Sequence, residues 1–239
     1  MTPVEDGGKV TRKRRRRGMA TKDVRRARFT LKGITPLLMH ADDVEAASTL
    51  DEWRKSPGNK NVSVPGDDRS PAWTWQTYLY RDSEGMIAMP ADNVMVALRQ
   101  AGAKMTLKRQ TTFKAITQSG LLLTDETLEF TNGGKQISAT DFVAARDDKF
   151  TDQKKAVEKA GFELLIKRAK VGTSKHVRVR PMFRSWAVSG VIQIMAPEIT
   201  FESLGMLFEL AGDVGLCDWR PGCKTPGRFG MFEATVAKA

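Results

Sequence analysis

Cysteine, histidine and tyrosine are scarce in this 239-residue chain, with two of each: Cys217 and Cys223, His40 and His176, Tyr78 and Tyr80. One cysteine pair makes no disulfide framework, and no second pair is present to complete a four-thiolate zinc site. The expected context is reducing and cytoplasmic, with the two thiols buried or half-exposed. Long apolar runs are missing as well. Stretches such as Leu121-Leu122-Leu123 and Val191 to Ala196 fall far short of the about 20 residues of a membrane span. The basic start is not followed by an apolar run of about 7–15 residues, so neither a secretory signal nor a membrane partner is expected. No HxE, HExxH or GxSxG order occurs. Gly222-Cys223-Lys224-Thr225 copies only the end of a phosphate-binding Walker loop. No repeat of fixed period is present. Neither an enzyme centre nor a cofactor is expected from this inventory.

Acidic residues are absent from two long windows. Between Glu163 and Glu198 the charged residues are Lys167, Arg168, Lys170, Lys175, Arg178, Arg180 and Arg184. From Val94 to Thr124 they are Arg99, Lys104, Lys108, Arg109 and Lys114. Phe113, Phe183 and Trp186 are interleaved with them. Arg178 and Arg180 alternate with Val177 and Val179, so a strand places both guanidiniums on one face. That arrangement suits successive phosphates of a single strand, with bases stacking on Phe183 or Trp219.

The charge is also uneven along the chain. The formal net charge is +11. Residues 1–26 hold ten basic residues against Glu5, Asp6 and Asp23, which places +7 of that total in the first 26 positions. Such a segment has too little apolar surface to offset its ordering entropy and is expected to be a disordered arm, an electrostatic handle for phosphates. Met19 offers a second translation start that would omit it.

The remaining pattern reads as a strand over 28–39, a helix over 41–55 with Val44, Ala47 and Leu50 on one side, and a loop over 56–72. A hairpin over 73–90 follows, turning at Asp82-Ser83-Glu84-Gly85. Pro90-Ala91-Asp92 opens a helix over 91–104. A basic, polar stretch over 105–118 precedes a strand over 120–130, broken at 124–126, and Asn132-Gly133-Gly134 marks a turn. The span 135–175 is ambiguous: Phe142, Val143 and Phe150 are candidates for burial, and 152–168 has helical composition. A long strand covers 177–195, with Trp186, Val188, Gly190, Ile192 and Ile194 on one face and Pro181 marking an edge or bend. Thr200 caps a helix over 200–212 with a Leu204, Leu207, Phe208 and Ala211 stripe. A last strand covers 229–236. Stripped of insertions at 41–90 and 131–176, the order is βαββαβ. The predicted fold is α+β, a single ferredoxin-like (split βαβ) domain over 27–239. One sheet face is left free as a nucleic-acid platform.

The segment 212–230 concentrates five glycines with Trp219, Arg220, Lys224 and Arg228. Glycines let backbone amides approach a phosphate, and Trp219 can stack on a base. His40, beside Asp42 and Asp43, is the weak candidate for general acid–base cleavage or metal binding; the bland alternative is a helix-capping cluster.

The strand end Thr35-Pro36-Leu37-Leu38-Met39-His40, followed by an acidic helix start, resembles the first strand of RAMP-superfamily proteins. These are the ferredoxin-like, RNA-binding subunits that form the backbone of CRISPR effector complexes in antiviral defence. Gly215-Leu216-Cys217-Asp218-Trp219-Arg220 with Gly227-Arg228-Phe229-Gly230 resembles the glycine-rich loop after that family's last helix. Cys217 stands where a second glycine is usual, and no glycine follows His40. The resemblance implies binding in repeated copies along a strand. It also puts Asp42 or Asp43 in the region where some backbone subunits carry an RNA-cleaving aspartate. The same two ends resemble an uncharacterised phage and prophage family.

The function expected from these features is largely sequence-independent binding of single-stranded RNA or DNA by a homo-oligomer or a multi-subunit ribonucleoprotein. A phage structural or assembly protein with a genome-binding arm is the second expectation. A metal-dependent ribonuclease using His40 and Asp42 is the third.

Overall fold

The alternation that begins at β1 (Arg25–Gly33) builds the centre of the molecule. Ala27, Phe29 and Leu31 are buried, while Arg26, Arg28, Thr30 and Lys32 face solvent. The structure is a computed structural model describing residues 24–139 and 149–239. Residues 1–23 of the expected arm, and Phe142 and Val143, lie outside the described residues. Arg25 and Arg26, expected at the end of the arm, already belong to β1.

β1 pairs antiparallel with β10 (Trp186–Ile194) and β11 (Phe232–Lys238). β10 also pairs with β6 (Leu121–Leu123) and β7 (Thr127–Asn132), and β7 pairs with β3 (Ala88–Pro90). The resulting six-stranded sheet has the order β11-β1-β10-β7-β3, with β6 beside β10. Helices α2 (Ala91–Lys104) and α5 (Phe201–Val214) supply the apolar cover. Val94, Leu98 and Ala101 of α2 are buried, as are Leu204, Leu207, Phe208 and Ala211 of α5. The Phe208 ring lies 5.0 Å from that of Phe29. Thr200 caps α5 as its position requires, accepting from the Ser203 amide at 3.1 Å. Among the described residues the opposite face of the sheet is open. Its outward residues on β1, β7, β10 and β11 include no aromatic ring, so a base has nothing to stack on there.

Two segments read as single strands each divide between sheets. The 28–39 segment becomes β1 and β2 (Leu37–Leu38), and the 177–195 segment becomes β9 (Ser174–Phe183) and β10. β2, β9 and β8 (Glu163–Val171) form a second antiparallel sheet in the order β2-β9-β8. The chain leaves the first sheet after Gly33 and enters the second at Leu37. It returns through the exposed pair Arg184-Ser185. Pro181 lies inside β9 opposite Leu164, where its carbonyl accepts from the Met39 amide at 3.1 Å. The helical composition of 152–168 holds only for α4 (Phe150–Lys159); from Glu163 onward the segment is β8. Aromatic contacts join the layers. Phe183 packs 5.0 Å from Phe130 and 4.8 Å from Phe162, and Phe162 lies 5.9 Å from Trp75.

The first half of the expected 73–90 hairpin is a 3-10 helix over Thr74–Tyr78, although the turn at Asp82 forms. α1 (Val44–Lys55) buries none of its residues, so the expected Val44, Ala47 and Leu50 stripe has no core to meet. The 105–118 stretch forms an exposed hairpin, β4 (Thr106–Lys108) and β5 (Thr111–Thr112), followed by α3 (Lys114–Gly120). The last strand starts later than expected, at Phe232. The protein is thus a mixed α/β structure of antiparallel sheets and, among the described residues, five α-helices. No helix of the described residues is long and apolar enough to cross a membrane.

Candidate functional site

Arg178 and Arg180 do share one face of β9, and both meet the same buried carboxylate. Asp68 is 2% exposed. It accepts from Arg178 Nη1 at 3.0 Å, Arg180 Nη1 at 3.1 Å and the Val179 amide at 3.1 Å. Residues 66–68 run beside β9, the Asp68 amide donating to Val177 O at 3.0 Å, which fixes the carboxylate in place. A buried carboxylate without such donors would be costly; three donors offset the loss of water.

Arg180, 5% exposed, continues the network. Its Nε donates to Asp218 Oδ2 at 3.1 Å, its Nη2 lies 3.3 Å from His40 Nε2, and its guanidinium carbon is 4.3 Å from the Tyr78 ring centroid. An arginine has no lone pair to offer, so His40 Nε2 is the acceptor and the ring proton sits on Nδ1. That nitrogen is 3.6 Å from Asp218 Oδ2. Burial, and then the charge of Arg180, lower the His40 pKa; Asp218 acts in the opposite direction. The imidazole is neutral at pH 7. Its basic lone pair is occupied by Arg180, which disfavours a role as general base. Burial raises the Tyr78 pKa, leaving a neutral phenol against this network.

Asp218 is held by a loop under backbone tension. Its neighbours Cys217 and Trp219 have φ of +61° and +48°. The left-handed region costs a non-glycine residue roughly 1–2 kcal/mol, so contacts must hold them there. The Asp218 amide donates to Leu38 O at 3.1 Å, and the Phe229 amide to Trp219 O at 3.3 Å. A side chain at Gly227 would overlap the Trp219 carbonyl, so the loop closes only with glycine there. Cys217 Sγ packs 3.7 Å from Met89 Sδ, and burial pushes its thiol well above the usual range. Trp219 is left half-buried on the rim of a cavity of about 310 Å3, lined also by His40, Ala169, Arg178, Arg180 and Asp218. Lys167 Nζ lies 4.8 Å from the Trp219 ring centroid.

The other predicted residues are dispersed. Lys167 is the cross-strand partner of Arg178; Lys170 and Lys175 pair with each other near the hairpin end, and Arg168 faces Val177. Arg168, Lys170 and Lys175 are exposed. Arg184 pairs with Glu163, its Nη2 donating at 3.0 Å, and lines a different cavity beside Asn132 and Gly161. Lys108 and Arg109 sit on the β4–β5 hairpin. Arg220 Nη1 donates to Cys217 O at 2.8 Å. Lys224 and Arg228 are exposed, Arg228 lying 5.9 Å from the Phe229 ring. Phe183 is fully buried among Phe130 and Phe162, so it cannot serve as a stacking surface.

His40 is not joined to Asp42 and Asp43. Asp43 is spent capping α1, accepting from the Glu45 and Ala46 amides at 3.0 Å each, and Asp42 is exposed. Among the described residues no group of three His, Cys, Asp or Glu side chains is arranged to hold a metal ion. Asp68, Tyr78 and Asp218 complete the site and were not singled out from the sequence. Asp218 lay in the glycine-rich loop, whereas Asp68 sat unmarked among loop residues. Comparisons with models of known protein families and with curated proteins find no match.

Proposed function

We propose that this protein binds single-stranded nucleic acid with little sequence preference, using Trp219 as a stacking platform. The carrying observation is the placement of that ring. It is pinned at positive φ on the rim of a cavity, with Lys167 against it and the β8–β9 cations beside it. Arg180, neutralised by Asp68 and Asp218, acts in this reading as a positioning residue. Arg178 is partly exposed and lines the same cavity. Lys167, Lys170, Lys175, Lys224 and Arg228 meet phosphates.

The sheet order supports assigning the ferredoxin-like plan. β1, α2, β7, β10, α5 and β11 follow the split βαβ sequence with β10 between β1 and β7. The positive φ at Cys217 supports the RAMP resemblance, since that is a position where glycine is free of strain. Assembly in several copies along a strand belongs to the same proposal.

The test is a fluorescence-anisotropy titration of labelled single strands of unrelated sequence at two salt concentrations. Trp219→Ala should lose about 1–3 kcal/mol with little salt dependence. Lys167→Ala/Lys170→Ala/Lys175→Ala should weaken all sequences alike and flatten the salt slope. Wild-type binding by both folded variants would sink the reading and leave the assembly-protein alternative ahead.

A further inference from the structure

One helix lacks basic residues as completely as the 94–124 window lacks acidic ones. Between Arg184 and Arg220 no lysine or arginine occurs, whereas Glu198, Glu202, Glu209, Asp213 and Asp218 do. Glu202, Met206, Glu209 and Asp213 recur at i, i+4, i+7 and i+11, so they share one face of α5, opposite its buried apolar stripe. All four are exposed, Met206 at 47%. A side chain at the neighbouring Gly205 would meet nothing within 4 Å, so among the described residues this face is uncovered.

Glu198, Glu202, Glu209 and Asp213 form no ion pair among the described residues. Lys238 stands at one end of the face, its Nζ 5.3 Å from the Phe201 ring centroid. The helix itself gains nothing from Glu209 and Asp213. They repel each other at i, i+4, and they lie toward a C-terminal end that disfavours negative charge and has no basic residue in its last turn. A cationic partner across the face relieves both costs.

The chain supplies one. Arg12-Lys13-Arg14-Arg15-Arg16-Arg17 is its longest unbroken basic run. The run leads into the fold beside α5: Arg25, at the start of β1, faces Ile194 across the sheet and donates from Nη2 to Ala196 O at 2.7 Å. From Ala196 the chain reaches the Thr200 cap of α5 within four positions. Arg17 stands seven positions before Val24, a reach of at most about 25 Å. The stripe from Glu202 to Asp213 is about 17 Å long. Arginine suits such a face, because its alkyl stem covers apolar surface such as Met206 while the guanidinium meets the flanking carboxylates. Tethering gives this segment a high effective concentration, ahead of any free partner.

We propose that the 12–17 segment docks along the outer face of α5 of the same chain, its arginines against Glu202, Glu209 and Asp213. The stripe stands in for the phosphates of a nucleic acid and competes with them for the arm. The docking does not depend on nucleic acid; the competition rests on the single-strand reading above. Exposed pairs are individually weak and screened by salt, so the docked segment adds little to the melting temperature and yields to a polyanion.

The full chain is digested with a trace of trypsin at low salt, and cleavage after positions 12–17 is followed by mass spectrometry. Glu202→Gln/Glu209→Gln/Asp213→Asn, at exposed positions, should be cut about fivefold faster than wild type, the combined worth of three weak surface pairs. The difference should vanish in about 0.5 M salt. Glu45→Gln/Asp51→Asn/Glu52→Gln removes as many exposed acids from α1 and should be cut like wild type. The docking is overturned if wild type and the α5 variant are cut alike, or if the α1 variant is cut as fast as the α5 variant. Protection that fades on dilution also overturns it, since a second copy's arm would then be the one bound. In the anisotropy titration the α5 variant should bind single strands about fivefold more tightly than wild type at low salt; equal affinity would overturn the competition. If wild type binds no strand, the single-strand reading fails, while the trypsin comparison still decides the docking.

Discussion

Asp68 and Arg180 are mutually dependent: the guanidinium of Arg180, removed from water, is compensated by Asp68 and Asp218, and the buried carboxylate of Asp68 by Arg180 and Arg178. Asp68→Ala leaves the buried Arg180 guanidinium short of a counter-charge and the Val179 amide without its acceptor. Urea unfolding should show a loss of about 3–5 kcal/mol, the usual consequence of breaking a buried pair from one side. Asp68→Asn, which keeps an oxygen for Val179, should lose less. His40 provides a pH signature. Its pKa is lowered in the folded state, so in acid the unfolded chain binds a proton that the folded one does not. Stability should be fully present above the unfolded value of about 6.5 and decline as pH falls from there through the lowered folded value. His40→Gln should flatten that part of a melting-temperature profile. An equal acid slope in the variant would show that a group other than His40 carries it. Period 2 alone put Arg178 and Arg180 on one face. Nothing local revealed that Asp68, 110 positions before Arg178, would meet both.

At the scale of elements, two helices with equivalent caps should respond differently. Thr200→Ala removes the cap of α5, whose apolar stripe lies in the core, and should lower global stability by about 1 kcal/mol. Asp43→Ala removes the cap of α1, none of whose residues is buried. Its effect should show as faster amide exchange within 44–55 and leave the global transition nearly unchanged. Both caps and the bounds of α2 were legible, because a cap and a periodic stripe are local signals. The split of two apparent strands was not. Apolar patterning continues from β1 to β2 and from β9 to β10, and only the pairing partners assign each half to its own sheet.

For the whole molecule, the excess of positive charge is divided between residues 1–26 and the rest of the chain. Deleting residues 1–18 removes Lys9, Arg12, Lys13, Arg14, Arg15, Arg16 and Arg17. Single-strand affinity should fall, and the log–log salt slope should shrink by about 0.7 for each phosphate that is no longer neutralised. The melting temperature should hold, since this segment has few apolar groups to contribute to a core. A drop of several degrees would show instead that it packs on the domain. Composition, the acid-free windows, the glycine-rich loop and the helices with strong stripes were determined by the sequence alone, because charge and periodicity act between near neighbours. Which cations stay free and which are neutralised was decided only in three dimensions. Arg180, one of the two guanidiniums expected together at a phosphate, is enclosed by Asp68 and Asp218 from distant segments, whereas Lys167 is left beside Trp219. A charge's availability depends on what burial brings against it, and burial is a property of the assembled core.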